Sequence, residues 1–193
     1  MVVKDVAVCG KRHHLDERLI IGKRKGIKDA VVSLTGIQGG KSLATLGSNF
    51  VIGQKDCAYE PHMLLVPVHA QVQILNDDQV LHNIHTFSKV NPPMNLAQPK
   101  FKRKLEVSFS EPEKIPVRCD IHAWMNTWIV VVDHPYHALT DEEGNFMLEG
   151  VPPGTYTLTC WQELLGEQSR EVTISEGSDL KVEFEYEELE RRS

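Results

Sequence analysis

The chain has 193 residues, 41% of them apolar and 25% charged, so it can bury a core and is long enough for one large domain or two small ones. A net charge of −6 and a pI near 5.8 argue against the basic footprint that nucleic-acid binding needs. No apolar run reaches the length of a membrane span, and the start MVVKDVAVCGKRHH lacks the apolar core of a signal peptide. That start reads either as a cytoplasmic protein or as a chain trimmed of its leader.

In chain order the expected elements are mostly strands. Runs rich in Val, Ile, Thr and aromatics recur between turn signals at Ala30–Thr35, Met63–Val68, Val72–Leu75, Lys104–Phe109, Thr127–Val132, Thr155–Trp161 and Leu180–Tyr186. Val72 and Ile74 alternate with Gln71 and Gln73, as a half-buried strand requires. Leu105, Val107 and Phe109 alternate with Glu106 and Ser108 in the same way. Ala138–Glu143 and Trp161–Glu167 are the two places left for a turn of helix. The tail KVEFEYEELERRS reads as a last edge strand whose Glu side chains guard against sheet-to-sheet pairing. An all-β chain of short strands with Gly and Pro turns points to sandwiches or barrels.

The chemistry concentrates in CDIHAWM. Cys119, His122 and Met125 stand three apart, and LHNIHTF upstream supplies His82 and His85. Two imidazoles, a thiolate and a weak axial thioether are the ligand set of an electron-transfer copper centre. Thiolate and thioether favour Cu(I), imidazole suits both oxidation states, and a rigid β scaffold holds a geometry that changes little between them. A tight loop can wrap three ligands round one ion only when they lie a few residues apart. The remaining ligand must then come from a distant strand. The alternating KIPVRC run delivers the cysteine to the loop from the strand just before it.

With His82-Asn83 followed by Cys119, His122 and Met125, residues 50 to 133 resemble a cupredoxin, closest in loop spacing to amicyanin. The resemblance implies a Greek-key β-sandwich, one copper ion and one-electron transfer. It carries over His82 as the first ligand and Asn83 as the residue that braces the ligand loop. His85 would face away from His82 on a strand and is expected not to bind. Asp120 is expected to face solvent. In cupredoxins the loop histidine is the exposed edge of the site, so Trp124, Ala123, Pro92, Pro93 and Met94 are candidates for an apolar docking collar. Equally, Trp124 could pack inward. The basic run KFKRK at 100–104 reads as a solvated face.

The flanks differ in character. TDEEGNF followed by VPPGTYTL, with GIKDAVVSLTG at 26–36, resembles the carboxypeptidase regulatory-like, transthyretin-like β-sandwich. Asp141–Gly144 supplies one turn and Pro152–Gly154 another, after which Tyr156, Leu158 and Cys160 alternate. The expected organisation is a transthyretin-like sandwich split into 1–47 and 134–187, with the cupredoxin at 48–133 and a tail at 188–193. Two domains simply joined in sequence are the alternative.

Cys160 reads as a buried small hydrophobe. Cys9 and Cys57 are left to form a disulfide, which fits an oxidising compartment, or else to join His62 and the His13-His14 pair in a second metal site. No nucleophile elbow, phosphate loop or HExxH motif supports catalysis. The expected function is a non-enzymatic, periplasmic or otherwise extracytoplasmic one-electron carrier serving unidentified redox proteins. Copper delivery, or a partner-binding module with an accessory copper site, are the competing readings.

Overall fold

A computed structural model describes residues 4–187 as an all-β chain that divides into two compact units. One comprises Met1–Glu17 and Leu43–Pro135, the other Arg18–Ser42 and Tyr136–Ser193. No described helix is long and apolar enough to cross a membrane.

The strands are β1 (Val31–Thr35), β2 (Phe50–Lys55), β3 (Ala58–Glu60), β4 (Met63–Pro67), β5 (Val72–Asn76), β6 (His82–Thr86), β7 (Asn95–Gln98), β8 (Lys104–Val107), β9 (Glu113–Arg118), β10 (Asn126–Val132), β11 (His137–Leu139), β12 (Gly154–Gln162) and β13 (Gly166–Ile174). Among the described residues helix is confined to a single turn, α1 (Val6–Cys9), and a 3-10 turn at Leu43–Leu46.

The first unit has two sheets, ordered β4-β10-β9-β6-β7 and β3-β2-β5-β8. Their apolar residues meet in one cluster, in which Ile52, Ile74, Ile84, Ile115 and Ile129 are fully buried. Alternation explains this: Val72 and Ile74 of β5 point inward while Gln73 and Leu75 are only half-buried. Leu105, Val107 and Phe109 turn inward together. Each fully buried aliphatic side chain contributes about 1.5–3 kcal/mol over its exposed state.

The register of this unit positions its chemistry. β9 and β10 pair antiparallel with Arg118 opposite Asn126, so residues 119–125 are the connection across their end. β6 pairs with β9 through His85 opposite Arg118. Continuing that register by two places sets Asp120 beside Asn83, and so brings the start of β6 to the ligand loop.

The second unit carries one four-stranded sheet, β11-β1-β12-β13, among the described residues. Val32, Leu34, Leu158, Cys160 and Tyr156 form its core. At the hairpin signal, Asp141 accepts hydrogen bonds from the Glu143 and Asn145 amides (2.9 and 2.8 Å). Gly144 takes φ +81° there, with the Gly26 backbone so close that a Cβ would sit 2.8 Å from its Cα.

Three expectations need correcting. The residues before 18 group with the first unit, not with the second, because Cys9 is bonded to Cys57 and packs into the first unit's core. Leu180–Tyr186 forms no strand. Val182, Phe184 and Tyr186 do alternate inward against the second core, but the segment is held by side chains: the Tyr186 hydroxyl donates to the Cys160 carbonyl (2.7 Å) and Arg170 lies over the Phe184 ring. The two places kept for helix hold strand and turn instead: β11 pairs with β1 through Ala138 and Leu139, and the β12–β13 hairpin claims Trp161–Glu167.

Candidate metal centre

Every expected ligand is buried. His82 and His122 are 0% exposed, Cys119 2% and Met125 1%. His82 opens β6, and Cys119 follows directly on β9. The loop between them and β10 closes on itself: the Met125 amide donates to the His122 carbonyl (2.9 Å), and the Cys119 amide donates to the Met125 carbonyl (3.2 Å). Met125 thereby sits in the same buried cluster as Cys119.

The donor atoms of His82, Cys119 and His122 all lie within 4.8 Å of one another. The two Nδ1 atoms are 3.0 Å apart, and Cys119 Sγ is 3.9 Å from His122 Nδ1. The outer nitrogens face carboxylates. His82 Nε2 lies 2.8 Å from Asp78 Oδ2, and His122 Nε2 lies 3.0 Å from Asp5 Oδ2. A carboxylate only accepts, so each Nε2 carries its hydrogen and each Nδ1 is left as the inward atom. Two inward lone pairs at 3.0 Å repel unless a proton or a metal cation lies between them. The donor set therefore fits a soft or borderline cation held by two imidazoles and a thiolate.

The electrostatics agree. Burial pushes the Cys119 thiol up. The His82 side chain and the amides of Asn83, His122 and Ile121 outweigh that and bring it below its usual range, toward thiolate. Burial also disfavours charge on His82, but Asp78 and Cys119 together raise its affinity for a proton. His122 is lowered, chiefly by burial, against the opposing pull of Asp5. Asp78 is held below the ordinary range, despite its burial, by His82 and by the amides of Cys57 and Asp56.

Asn83 braces the loop. Its Oδ1 accepts the Asp120 amide (2.7 Å), while its Nδ2 donates to Asp120 and Asn95. Asp120 also binds His85 Nδ1 (2.9 Å) and Asn95 Nδ2 (2.8 Å). Asp120 is exposed, as expected, and it also knots the 119–125 loop to β6 and β7. His85 is occupied by Asp120 and lies outside the donor cluster.

The expectation of an exposed histidine edge is also corrected. His122 has no exposed surface, because Asp5 meets its outer nitrogen. Trp124 is half-buried against the core, with its indole N–H donating to the Cys57 carbonyl (3.0 Å). Met94 is likewise half-buried against the core, and Pro93 is exposed. Cys9 and Cys57 form a disulfide. Sequence reasoning missed Asp78 and Asp5. Asp78 lies four residues before His82, a spacing that could have flagged it; nothing local marks Asp5, which reaches His122 across 117 positions.

Comparison with known proteins yields a family model described as "Polysaccharide lyase family 4, domain II", matching residues 119–182. No curated protein matches. Among solved structures, a Cu(I) amicyanin variant is similar at 19% identity and TM-score 0.40, over 52% of this chain and 98% of that one. A purple cupredoxin from Nitrosopumilus maritimus is similar at 23% identity and TM-score 0.37, over 44% and 100%. A Cu-containing nitrite reductase from Thermus scotoductus is similar at 20% identity and TM-score 0.38, over 52% and 25%.

Proposed function

We propose that the chain is a mononuclear copper protein of the type 1, cupredoxin-like kind, carrying one electron at a time between redox partners. The observation that supports this most is the pair of inward Nδ1 atoms converging with Cys119, each imidazole held from outside by a carboxylate. Copper bound there would supply the Cu(I)/Cu(II) couple. His82, Cys119 and His122 would hold it, with Met125 as the further ligand, and Asn83 with Asp120 keeps the loop in place. Burial of all four ligands excludes water. It leaves no open position of the kind a catalytic metal keeps for substrate, so the protein is read as a carrier and not an enzyme.

The disulfide favours an oxidising, extracytoplasmic compartment. The second unit is read as a transthyretin-like module on the strength of TDEEGNF and VPPGTYTL, with the cupredoxin segment set into it. The test is titration of purified protein with Cu(II), followed by visible and EPR spectroscopy and competition with a chelator. An intense thiolate charge-transfer band at one copper per chain, with slow loss to the chelator, supports the carrier. Rapid transfer of copper to the chelator with sluggish redox cycling would replace it with delivery. Absence of the band in a metal-loaded, folded protein would remove the reading.

A further inference from the structure

Residues 5–17 are laid over the 119–125 loop. Val8 packs against the first unit's core, and Cys9 is fully buried in it and bonded to Cys57. Further along, His14 Nε2 bonds the Cys9 carbonyl (2.9 Å), and the His14 ring lies 5.3 Å from that of Trp124. Arg12 pairs with Glu17 (2.8 Å) and with Glu60 on β3. The strap is therefore fixed at several points along its length.

At its leading end stands Asp5. It occupies the N-cap position of α1, where a carboxylate ordinarily accepts a helix amide. Asp5 makes no such bond. Its side chain instead meets His122 Nε2 at 3.0 Å, and its backbone takes φ +48°, a left-handed conformation that non-glycine residues adopt at a cost. A favourable local cap is forgone and backbone strain accepted, and what the geometry gains is a carboxylate on the ligand histidine.

We infer that Asp5 is a positioning residue for the metal centre: tethered by Cys9–Cys57, it orients His122 with Nδ1 inward and seals the histidine edge against solvent and partners. The inference rests on the copper reading for its consequences but not for its geometry. His82 is oriented from within the fold by Asp78, whereas His122 is oriented by a strap. A carboxylate on the outer nitrogen makes the imidazole a stronger donor and favours the more highly charged oxidation state. Loss of an outer partner of this kind typically weakens metal binding about 10–100-fold.

The test has a metal-free arm and a copper arm. In apoprotein treated with diethylpyrocarbonate, acylation of each histidine is followed by peptide mass spectrometry, with the exposed His13 and His69 as internal standards. His122 should be protected in the wild type, and Asp5→Ala should raise its modification about tenfold or more while the standards hold. Asp5→Asn keeps an acceptor, so it should restore protection. Cys9→Ser/Cys57→Ser should expose His122 as Asp5→Ala does, since the tether is gone. In the copper arm, Asp5→Ala should lose copper to a chelator about 10–100-fold faster, and Asp5→Asn should raise the reduction potential while the charge-transfer band persists. Modification of His122 at the wild-type rate in both Asp5→Ala and the double variant overturns the inference. If the wild type binds no copper, the copper reading fails alone, and the acylation arm still decides the role of Asp5.

Discussion

Each unit buries one free thiol, and the two thiols are driven in opposite directions. Cys119 is 2% exposed and Cys160 4%. Burial raises the affinity of both for a proton. At Cys160 little opposes it: the Tyr186 hydroxyl lowers it, and the thiol still ends above its usual range. At Cys119 the His82 side chain and three backbone amides reverse the sign. Burial alone therefore does not decide which way a buried thiol's proton affinity moves. What decides is whether the chain aims donors at the sulfur. The first unit does so with the His82 side chain and the backbone amides of Asn83, His122 and Ile121. The second buries mainly threonines, such as Thr140, and Gln162, which bond main-chain groups.

The largest expected effect separates the two thiols outright. Cys119→Ala should abolish the charge-transfer colour of copper-loaded protein, and Cys160→Ala should leave it intact. A coloured Cys119→Ala protein would dissolve the contrast.

Next come the cores. Ile129→Ala and Leu158→Ala each remove a buried aliphatic chain, and each should cost about 2–5 kcal/mol in chemical denaturation. Only the first should also weaken copper retention, since Ile129 shares a cluster with Cys119 and Met125. Equal loss of copper in both variants would show that the site depends on the second unit as well.

A smaller effect tests the brace. Asn83 is 5% exposed, and Asn83→Ala strands the Asp120 amide, for about 1–3 kcal/mol. Copper affinity should fall with it, and an unaltered affinity would show that the loop holds its shape alone.

The smallest concerns acid. Asp141 is held below its ordinary value of 3.8, first by the Asn145 amide and then by the Asn145 side chain, with the Glu143 and Gly144 amides adding to it. A depressed carboxylate contributes stability above that ordinary value and loses it as pH falls through the lower folded value. Asp141→Asn should therefore lower stability slightly at pH 7 and flatten its decline below about pH 4. Asp141 is fully exposed, so the effect is small, and copper retention should not change.

Much of the donor set was legible because it is local. CDIHAWM places three donors on one turn of chain, and no tertiary information is needed to see that they can converge. Strand phases at Val72–Leu75 and Lys104–Phe109 were legible for a similar reason, since alternation records which side faces the core. Leu180–Tyr186 shows the limit of that rule. Its alternation is genuine, but a strand also needs a ladder partner, and a one-chain pattern does not reveal whether an edge is free to provide one.

By itself the sequence determined an all-β chain, a thiolate–imidazole–thioether loop, a distant His-Asn pair and turn chemistry at Asp141–Gly144. Tertiary structure alone decided the outer shell. Asp78 and Asp5 set which nitrogen of each histidine faces inward, the exposed Asp120 became a knot between the loop and its neighbouring strands, and a strap closed the edge expected to be open. The physical reason is range. Ligand spacing and alternation are set by the geometry of a few bonded residues, whereas a carboxylate meeting an imidazole across 117 positions depends on where the whole fold, and one disulfide, carry the chain.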